Sequence, residues 1–258
     1  SKIMTDTTKE GKKGTKLEQE PEDLGSLEVN IVSPSTNISK VQLNYDENTY
    51  FDFKTIFKEL GFFIIRYNID RSEQVFEADP HSKEIKTRSN KNNYNFFSKD
   101  NNLEINQDFH LHKKNLEWKI KLTNISANSI DINDLELPLS FNTAYARSWQ
   151  ETYLRRGVRH SFIAGDGSFI FLTKAGGDPP FLLMSPKSGT SIDCFDINKT
   201  NDAGRFEGGY SIFLNAAQKN KDRNWRLPTP SIILKSGESV NYGFLFNWVN
   251  TYDEVRDN

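Results

Sequence analysis

The sequence holds a single cysteine, Cys194. An intramolecular disulfide is therefore excluded, and so is a metal site built from several thiolates. Cys194 sits in the alternating stretch TSIDCFDI and reads as a small buried hydrophobe. Long apolar runs are also missing: nothing approaches the about 18 residues of a membrane-spanning helix. Charge of one sign is not in excess, since 33 Lys and Arg stand against 35 Asp and Glu, a formal net charge of −2. Nothing global calls for nucleic acid or an anionic membrane as a partner. No secretory leader lies within the chain, which opens Ser-Lys-Ile-Met as a processed or trimmed amino end would. GDGS and AGGDPP are not phosphate loops, because neither leads into a helix carrying Lys-Ser/Thr.

What is present is aromatic and strand-like. The 258 residues suffice for one large domain or two small ones. Mean hydropathy is low, at −0.67, yet aromatics reach 12%, with 19 Phe. Large rings let a chain with few aliphatics bury a core. Residues 1–25 are rich in Lys, Glu, Asp, Thr and Gly and too poor in large apolar groups to offset ordering entropy. They are expected to form a disordered tail or linker, leaving 26–258 as the folded domain.

From Ser26 onward the pattern is mostly the two-residue period of half-buried strands. SLEVNIV aligns Leu27, Val29 and Ile31, and KVQLNY aligns Val41, Leu43 and Tyr45. FKTIFKELGFFII is the best helical candidate, with Ile56, Phe57 and Leu60 at helical spacing and Gly61 as its stop. GFFIIRYNI follows as a strand, and DRSEQVFEADPHSKEIKTRSNKNN reads as an exposed hairpin or loop. In LEWKIKLT, Leu116, Trp118, Ile120 and Leu122 point inward against Glu117, Lys119 and Lys121 outward. IDINDLELPLSF shifts frame near Asn133 and Asp134, as a β-bulge does. PFLLMSP, TSIDCFDI and GGYSIFLNAA are further strands, and SIILKSGESVNYGFLFNWV reads as a hairpin around KSGES. Many short strands with Gly, Asn, Asp and Pro turns predict an all-β antiparallel sandwich.

The chemistry-bearing stretch is ETYLRRGVRHSFIAGDGSFIF. A strand from Val158 places Val158, His160 and Phe162 on one face and Arg159, Ser161 and Ile163 on the other. Gly165 and Gly167 supply positive φ to the turn around Asp166. Arg155 and Arg156 lie just before the strand, with Trp149 and Tyr153 upstream. Arginines beside aromatics can grip a carboxylate or stack on a ring, so an acidic glycan is conceivable. The plainer reading pairs them with Glu151 and Asp166, or has them face another domain. His110 and His112, at i and i+2, share a strand face, but no third ligand is evident and no metal or cofactor is expected. His81, in a polar loop, carries little information.

Three segments together resemble a known family: NLEINQDFHLHKKNLEWKIKLTNISANSIDINDLELPLSFNT, ETYLRRGVRHSFIAGDGSFIF and TPSIILKSGESVNYGFLFNWVNTYDEVRD. In this order they resemble the N-terminal β-sandwich of a bacterial and fungal family in which the sandwich precedes an (α/α)6 toroid of the six-hairpin glycosidase kind. The resemblance covers roughly residues 26–258. It implies a galactose-mutarotase-like supersandwich of two antiparallel sheets with few short helices. It also implies that the toroid holds the main catalytic carboxylates, and YDEVRDN falls where the helical region is expected to begin. The implied role is a non-catalytic sandwich of a carbohydrate-active protein, a glycoside hydrolase. Its partners would be carbohydrate and a helical domain of the same protein, in a secreted or periplasmic setting. Trp149, Tyr153, Arg155, Arg156, His160 and Asp166 are then the ligand-binding or domain-interface residues. Two other readings stay open: a free-standing carbohydrate-binding module stacking sugars on Trp149, Tyr153 or Trp225, and a small mutarotase or epimerase using His160 and Glu207 as acid and base.

Overall fold

The computed structural model describes residues 42–44, 50–52, 60–78, 86–90, 93–112, 115–139, 141, 148–198, 209–221 and 229–257. The expected tail at 1–25, the strand at 27–31 and most of the helix before Gly61 lie outside the described residues. In chain order the strands are β1 (Gln42–Asn44), β2 (Tyr50–Asp52), β3 (Phe63–Ile69), β4 (Ser72–Ala78), β5 (Lys86–Asn90), β6 (Asn93–Phe97), β7 (Leu103–Leu111), β8 (Asn115–Asn124) and β9 (Ile130–Pro138). A short helix α1 (Trp149–Arg155) precedes β10 (Gly157–Phe162), β11 (Phe169–Lys174), β12 (Phe181–Pro186), β13 (Cys194–Asn198), β14 (Gly209–Ala216), β15 (Ile232–Leu234) and β16 (Ser239–Val249). Helix α2 (Tyr252–Asp257) follows.

Two antiparallel sheets face each other. The larger has eight strands in the order β10-β11-β12-β16-β8-β7-β6-β5. The second runs β13-β14-β9-β3-β4, with β15 added beside β9. This is the all-β antiparallel sandwich expected from the alternation, in the two-sheet supersandwich form that the family resemblance implied. Between the sheets Trp118 is fully buried, its ring 6.1 Å from Phe63, 5.6 Å from Phe109 and 5.6 Å from Phe244. The indole nitrogen donates to Gln107 Oε1 at 3.1 Å, and Gln107 Nε2 donates to the Gly61 carbonyl at 2.6 Å. A polar chain thus crosses the apolar core with each of these groups satisfied, which is the condition for burying it.

The frame shift in β9 is a bulge. Tyr67 pairs with Ile132 and Arg66 with Asp134, leaving Asn133 without a partner on β3. Asn215 Nδ2 donates to the Ile132 and Asn133 carbonyls at 3.1 and 2.6 Å, so the interrupted ladder is satisfied from β14. The bulge re-aims Asp134, which matters below.

Several expectations change. DRSEQVFEADPHSKEIKTRSNKNN, read as a hairpin or loop, is split between the sheets: β4 closes a hairpin with β3 through Asp70 and Arg71, both at positive φ, while β5 joins the other sheet. That turn is the two-residue type that matches strand twist. SIILKSGESV is not a hairpin either. β15 pairs with β9 and β16 with β8, so the KSGES turn carries the chain from one sheet to the other. Buried Asn124 holds the crossing: its carbonyl accepts from Gly237 N at 2.9 Å, its amide donates to Glu238 O at 3.0 Å, and its side chain donates to Leu234 O at 2.9 Å. Alternation specifies which face a strand buries, not which sheet it joins. Glu117 points outward as expected but is almost wholly buried, at 6% exposure. In the β10–β11 turn Gly165 has positive φ, as do Gly61, Gly177, Gly189 and Gly237, but Gly167 does not.

Candidate functional site

The strands at one end of the eight-stranded sheet turn an apolar face away from the core. Register sets this face: His160 lies beside Phe171 and Phe171 beside Leu183, while Arg159, Leu172 and Leu182 face the other sheet. On the outer side His160 stacks on Phe171 at 4.5 Å and Phe162 on Phe169 at 5.1 Å. Phe169 and Phe171 are 6.3 Å apart, and Phe171 lies 6.3 Å from Phe181. Helix α2 lies over part of this face, with Tyr252 4.6 Å from Phe181 and Val255 buried against Phe181, Leu183 and Val249. The rest is open to solvent: Phe162 is 52%, Val158 41% and Tyr252 53% exposed. Exposed rings grouped in this way make the face a candidate binding surface.

Helix α1 lies beside β11 and carries Trp149, 73% exposed, and Tyr153, 47% exposed. No helix was read here, because seven residues between strands give too little periodicity. Gly176, after β11, makes room for Tyr153: a Cβ on it would lie 2.5 Å from the Tyr153 hydroxyl oxygen. Arg155 is the last residue of α1 and Arg156 follows it, half-buried, its amide donating to the Thr152 carbonyl at 3.2 Å. Asp166 is exposed at the tip of the β10–β11 turn, which the Ser168 hydroxyl closes by donating to Gly165 O at 2.7 Å. The structure thus brings His160 into the aromatic face, sets Trp149, Tyr153, Arg155 and Arg156 on or beside the neighbouring helix, and places Asp166 at a turn. Partial desolvation of the stacked ring pushes the His160 imidazole below its ordinary pKa. Glu207, Trp225 and His81 lie outside the described residues.

Toward the middle of the sheet the outer face becomes ionic. Glu117 is held by Lys187, with Lys119 at 3.4 Å and His112 at 3.6 Å. Lys187 and the neighbouring charges draw its carboxyl down from the ordinary 4.5 to about 2. Gly243 lets the Lys187 stem pass, since a Cβ there would sit 3.3 Å from Lys187 Cδ. His110 bonds Asp108 at 2.8 Å. His110 and His112 share a face as expected, 6.5 Å apart, each beside a carboxylate. Among the described residues no three His, Cys, Asp or Glu groups are grouped to hold a metal ion.

The outer face of the second sheet carries a cleft that was not foreseen. A cavity of about 420 Å³ is lined by Ile64, Arg66, Asp134, Glu136, Asp196, Phe213, Gln218 and Lys219. Arg66 reaches Glu136 at 3.5 Å, and Lys219 pairs with Asp196. Asp134 Oδ1 accepts from the amides of Gln218 and Lys219 at 2.9 and 3.1 Å. The acid pair two residues apart in NDLELP was the available signal, since both project to one strand face. The basic partners come from distant strands and turns.

A family model described as a family of unknown function, DUF5695, matches residues 67–258. The chain belongs to the DUF5695 family. Among curated proteins none matches the sequence. The fold is shared with a polysaccharide lyase at a TM-score of 0.70 and 14% identity, over 90% of this chain and 33% of the lyase. The DUF5695 chain therefore spans about a third of that protein's length. A galactose mutarotase related enzyme from Lactobacillus acidophilus matches at a TM-score of 0.44 and 10% identity, over 83% of this chain and 99% of that one. A GH36 alpha-galactosidase from Geobacillus stearothermophilus matches at 0.39 and 9%, over 72% and 30% of the two chains. No helix among the described residues is long and apolar enough to cross a membrane.

Proposed function

We propose that this chain is a non-catalytic β-sandwich of a carbohydrate-active protein, a glycoside hydrolase, and that its aromatic outer face packs against a helical (α/α)6 domain of the same protein or lines that domain's cleft. The observation that carries the reading is the β10–β12 face. Its rings are half covered by α2, and Val158, Phe162 and Tyr252 stay exposed beside Trp149 and Tyr153. Leaving so many rings in water costs free energy that a docked domain recovers. The likeness in fold to a lyase of which this sandwich matches only a third supports a part within a larger protein. Arg155, Arg156 and Asp166 would form the polar rim around the aromatic centre, the usual layout of an interface. Carbohydrate would be the substrate class of the whole, and a secreted or periplasmic setting goes with that reading, which the likeness in fold to a polysaccharide lyase supports.

A second reading, a free-standing carbohydrate-binding module, draws on Trp149 alone, which at 73% exposure offers a ring face for stacking. The mutarotase reading finds less support, because His160 is pressed flat on Phe171. The test is binding in trans. The sandwich is mixed with the helical remainder of its parent protein, and Phe162→Asp and Trp149→Ser variants are compared by calorimetry. Docking predicts that the Phe162 change weakens binding at least about tenfold, since apolar anchors at an interface centre dominate affinity. A parent protein encoding no helical domain, or a sandwich that turns over polysaccharide unaided, overturns the proposal.

A further inference from the structure

The opposite side of β10 carries a charge that the docking face does not use. Arg159 projects between the sheets, its guanidinium carbon 3.7 Å from the centre of the Tyr210 ring. Its Nη1 is buried and makes no hydrogen bond in the structure. None of the ion pairs among the described residues includes it. Burial depresses its pKa. The side chain as a whole is half-buried, and a guanidinium nitrogen that is withdrawn from water is ordinarily hydrogen-bonded, because leaving it unmatched is costly. The unmatched donor is therefore an observation in need of a partner.

The surroundings show where that partner would sit. β10 is the edge of the eight-stranded sheet and β13 the edge of the other. Register puts Phe195 and Ile197 of β13 on the same face as Ile212 and Tyr210 of β14, the face turned toward the eight-stranded sheet. Inward residues of a sandwich are normally covered, yet Phe195 is 39% and Ile197 45% exposed. Among the described residues the flank between the two edges thus leaves Phe195 and Ile197 partly uncovered. Ser161, on the Arg159 side of β10, bonds the Tyr210 hydroxyl at 2.9 Å. Phe195 stacks on Tyr210 at 5.6 Å. A cation, a hydroxyl and a partly exposed ring thus meet around Tyr210.

We propose that this flank binds the carboxylate of an acidic sugar, a uronate, with Arg159 as its charge partner. The planar fork of arginine matches a carboxylate in two parallel bonds, and Tyr210 below holds the fork flat. Ser161 and the Tyr210 hydroxyl offer hydrogen bonds to ring hydroxyls, and Phe195 offers an apolar face to the sugar's C–H side. Few polar groups set on an apolar wall are the usual composition of a small-molecule site. The site is separate from the docking face, which lies on the other side of β10, so it stands or falls independently of the proposed function.

The test uses this chain with sodium glucuronate and galacturonate, and with glucose and galactose as neutral counterparts. Calorimetric titration is expected to show binding of at least one uronate and of neither neutral sugar. Arg159→Met is expected to weaken uronate binding about tenfold or more, as loss of a charge-assisted bond does. Without ligand the same variant is expected to melt no lower than the wild type, because the change removes a buried donor that has no partner. A purely structural arginine gives the reverse, a lower melting temperature and unchanged titrations. Equal binding of uronates and neutral sugars, no binding of either uronate, or binding of a glutamate-rich peptide in place of the uronates each overturns the assignment.

Discussion

Trp118 offers the sharpest test of how the two sheets are joined. Its ring touches Phe63 of the second sheet and Phe109 and Phe244 of its own, and it is fully buried. Its N–H also satisfies Gln107, which in turn satisfies the Gly61 carbonyl. That chain fixes the Gln107 amide: a flip would set its oxygen against the Gly61 carbonyl and its NH₂ against the indole N–H. Trp118→Ala removes the ring and leaves a cavity, at a cost of about 3–5 kcal/mol. Trp118→Phe isolates the polar share, because a ring remains while Gln107 Oε1 loses its donor. That orphaned acceptor costs about 1–3 kcal/mol, with roughly another 1 for the smaller ring. Urea unfolding with an unchanged m-value reads these differences. A cycle with Gln107→Leu should show coupling of about 1 kcal/mol between the two positions. A Trp118→Phe protein within about 0.5 kcal/mol of wild type, or additive single changes, would refute the buried chain as a contributor.

Two further outcomes are expected. Glu117 titrates low in the folded protein, from an ordinary 4.5 to about 2, so its stabilising effect is complete above pH 4.5 and lost as pH falls toward 2. With partners as exposed as Lys187 and Lys119, the loss should be about 1–2 kcal/mol, and Glu117→Gln should flatten that part of the pH–stability profile. A profile identical in the variant would mean the Lys187 contact carries no energy. Gly176→Ala forces a Cβ toward the Tyr153 hydroxyl and should cost about 1–3 kcal/mol, with Tyr153→Phe restoring part of it. Thermal unfolding decides, and an unaffected melting temperature would show that α1 shifts freely.

Much of the sandwich was readable because its strands bury one face each. Leu116, Trp118, Ile120 and Leu122 alternate without interruption, and the bulge at Asn133 announced itself as a broken alternation. What stayed hidden is long-range. Nothing local separates a true hairpin from the KSGES crossing, because Asn124, more than 100 residues upstream, pins that turn between the sheets. Glu117 looked like an ordinary outward charge, since its main partner Lys187 comes from beyond β12, 70 residues away. The cleft of Arg66, Asp134, Glu136, Asp196 and Lys219 draws on β3, β9, β13 and the turn after β14, so only its Asp-x-Glu pair was visible in one stretch. For the aromatic face the split of His160 and Phe162 from Arg159 and Ser161 followed from period two alone. That Arg159 would meet a tyrosine and no acid among the described residues required the second sheet.

The β10–β12 face is proposed to be an interface in the parent protein. Hydroxyl-radical footprinting of side chains tests it most directly, comparing this chain alone with the intact parent. Oxidation of Trp149, Phe162 and Tyr252 should be high in the isolated sandwich, where all three are exposed, and should fall several-fold in the parent. Equal oxidation of the three residues in both proteins would contradict the account, because no partner would then cover the face.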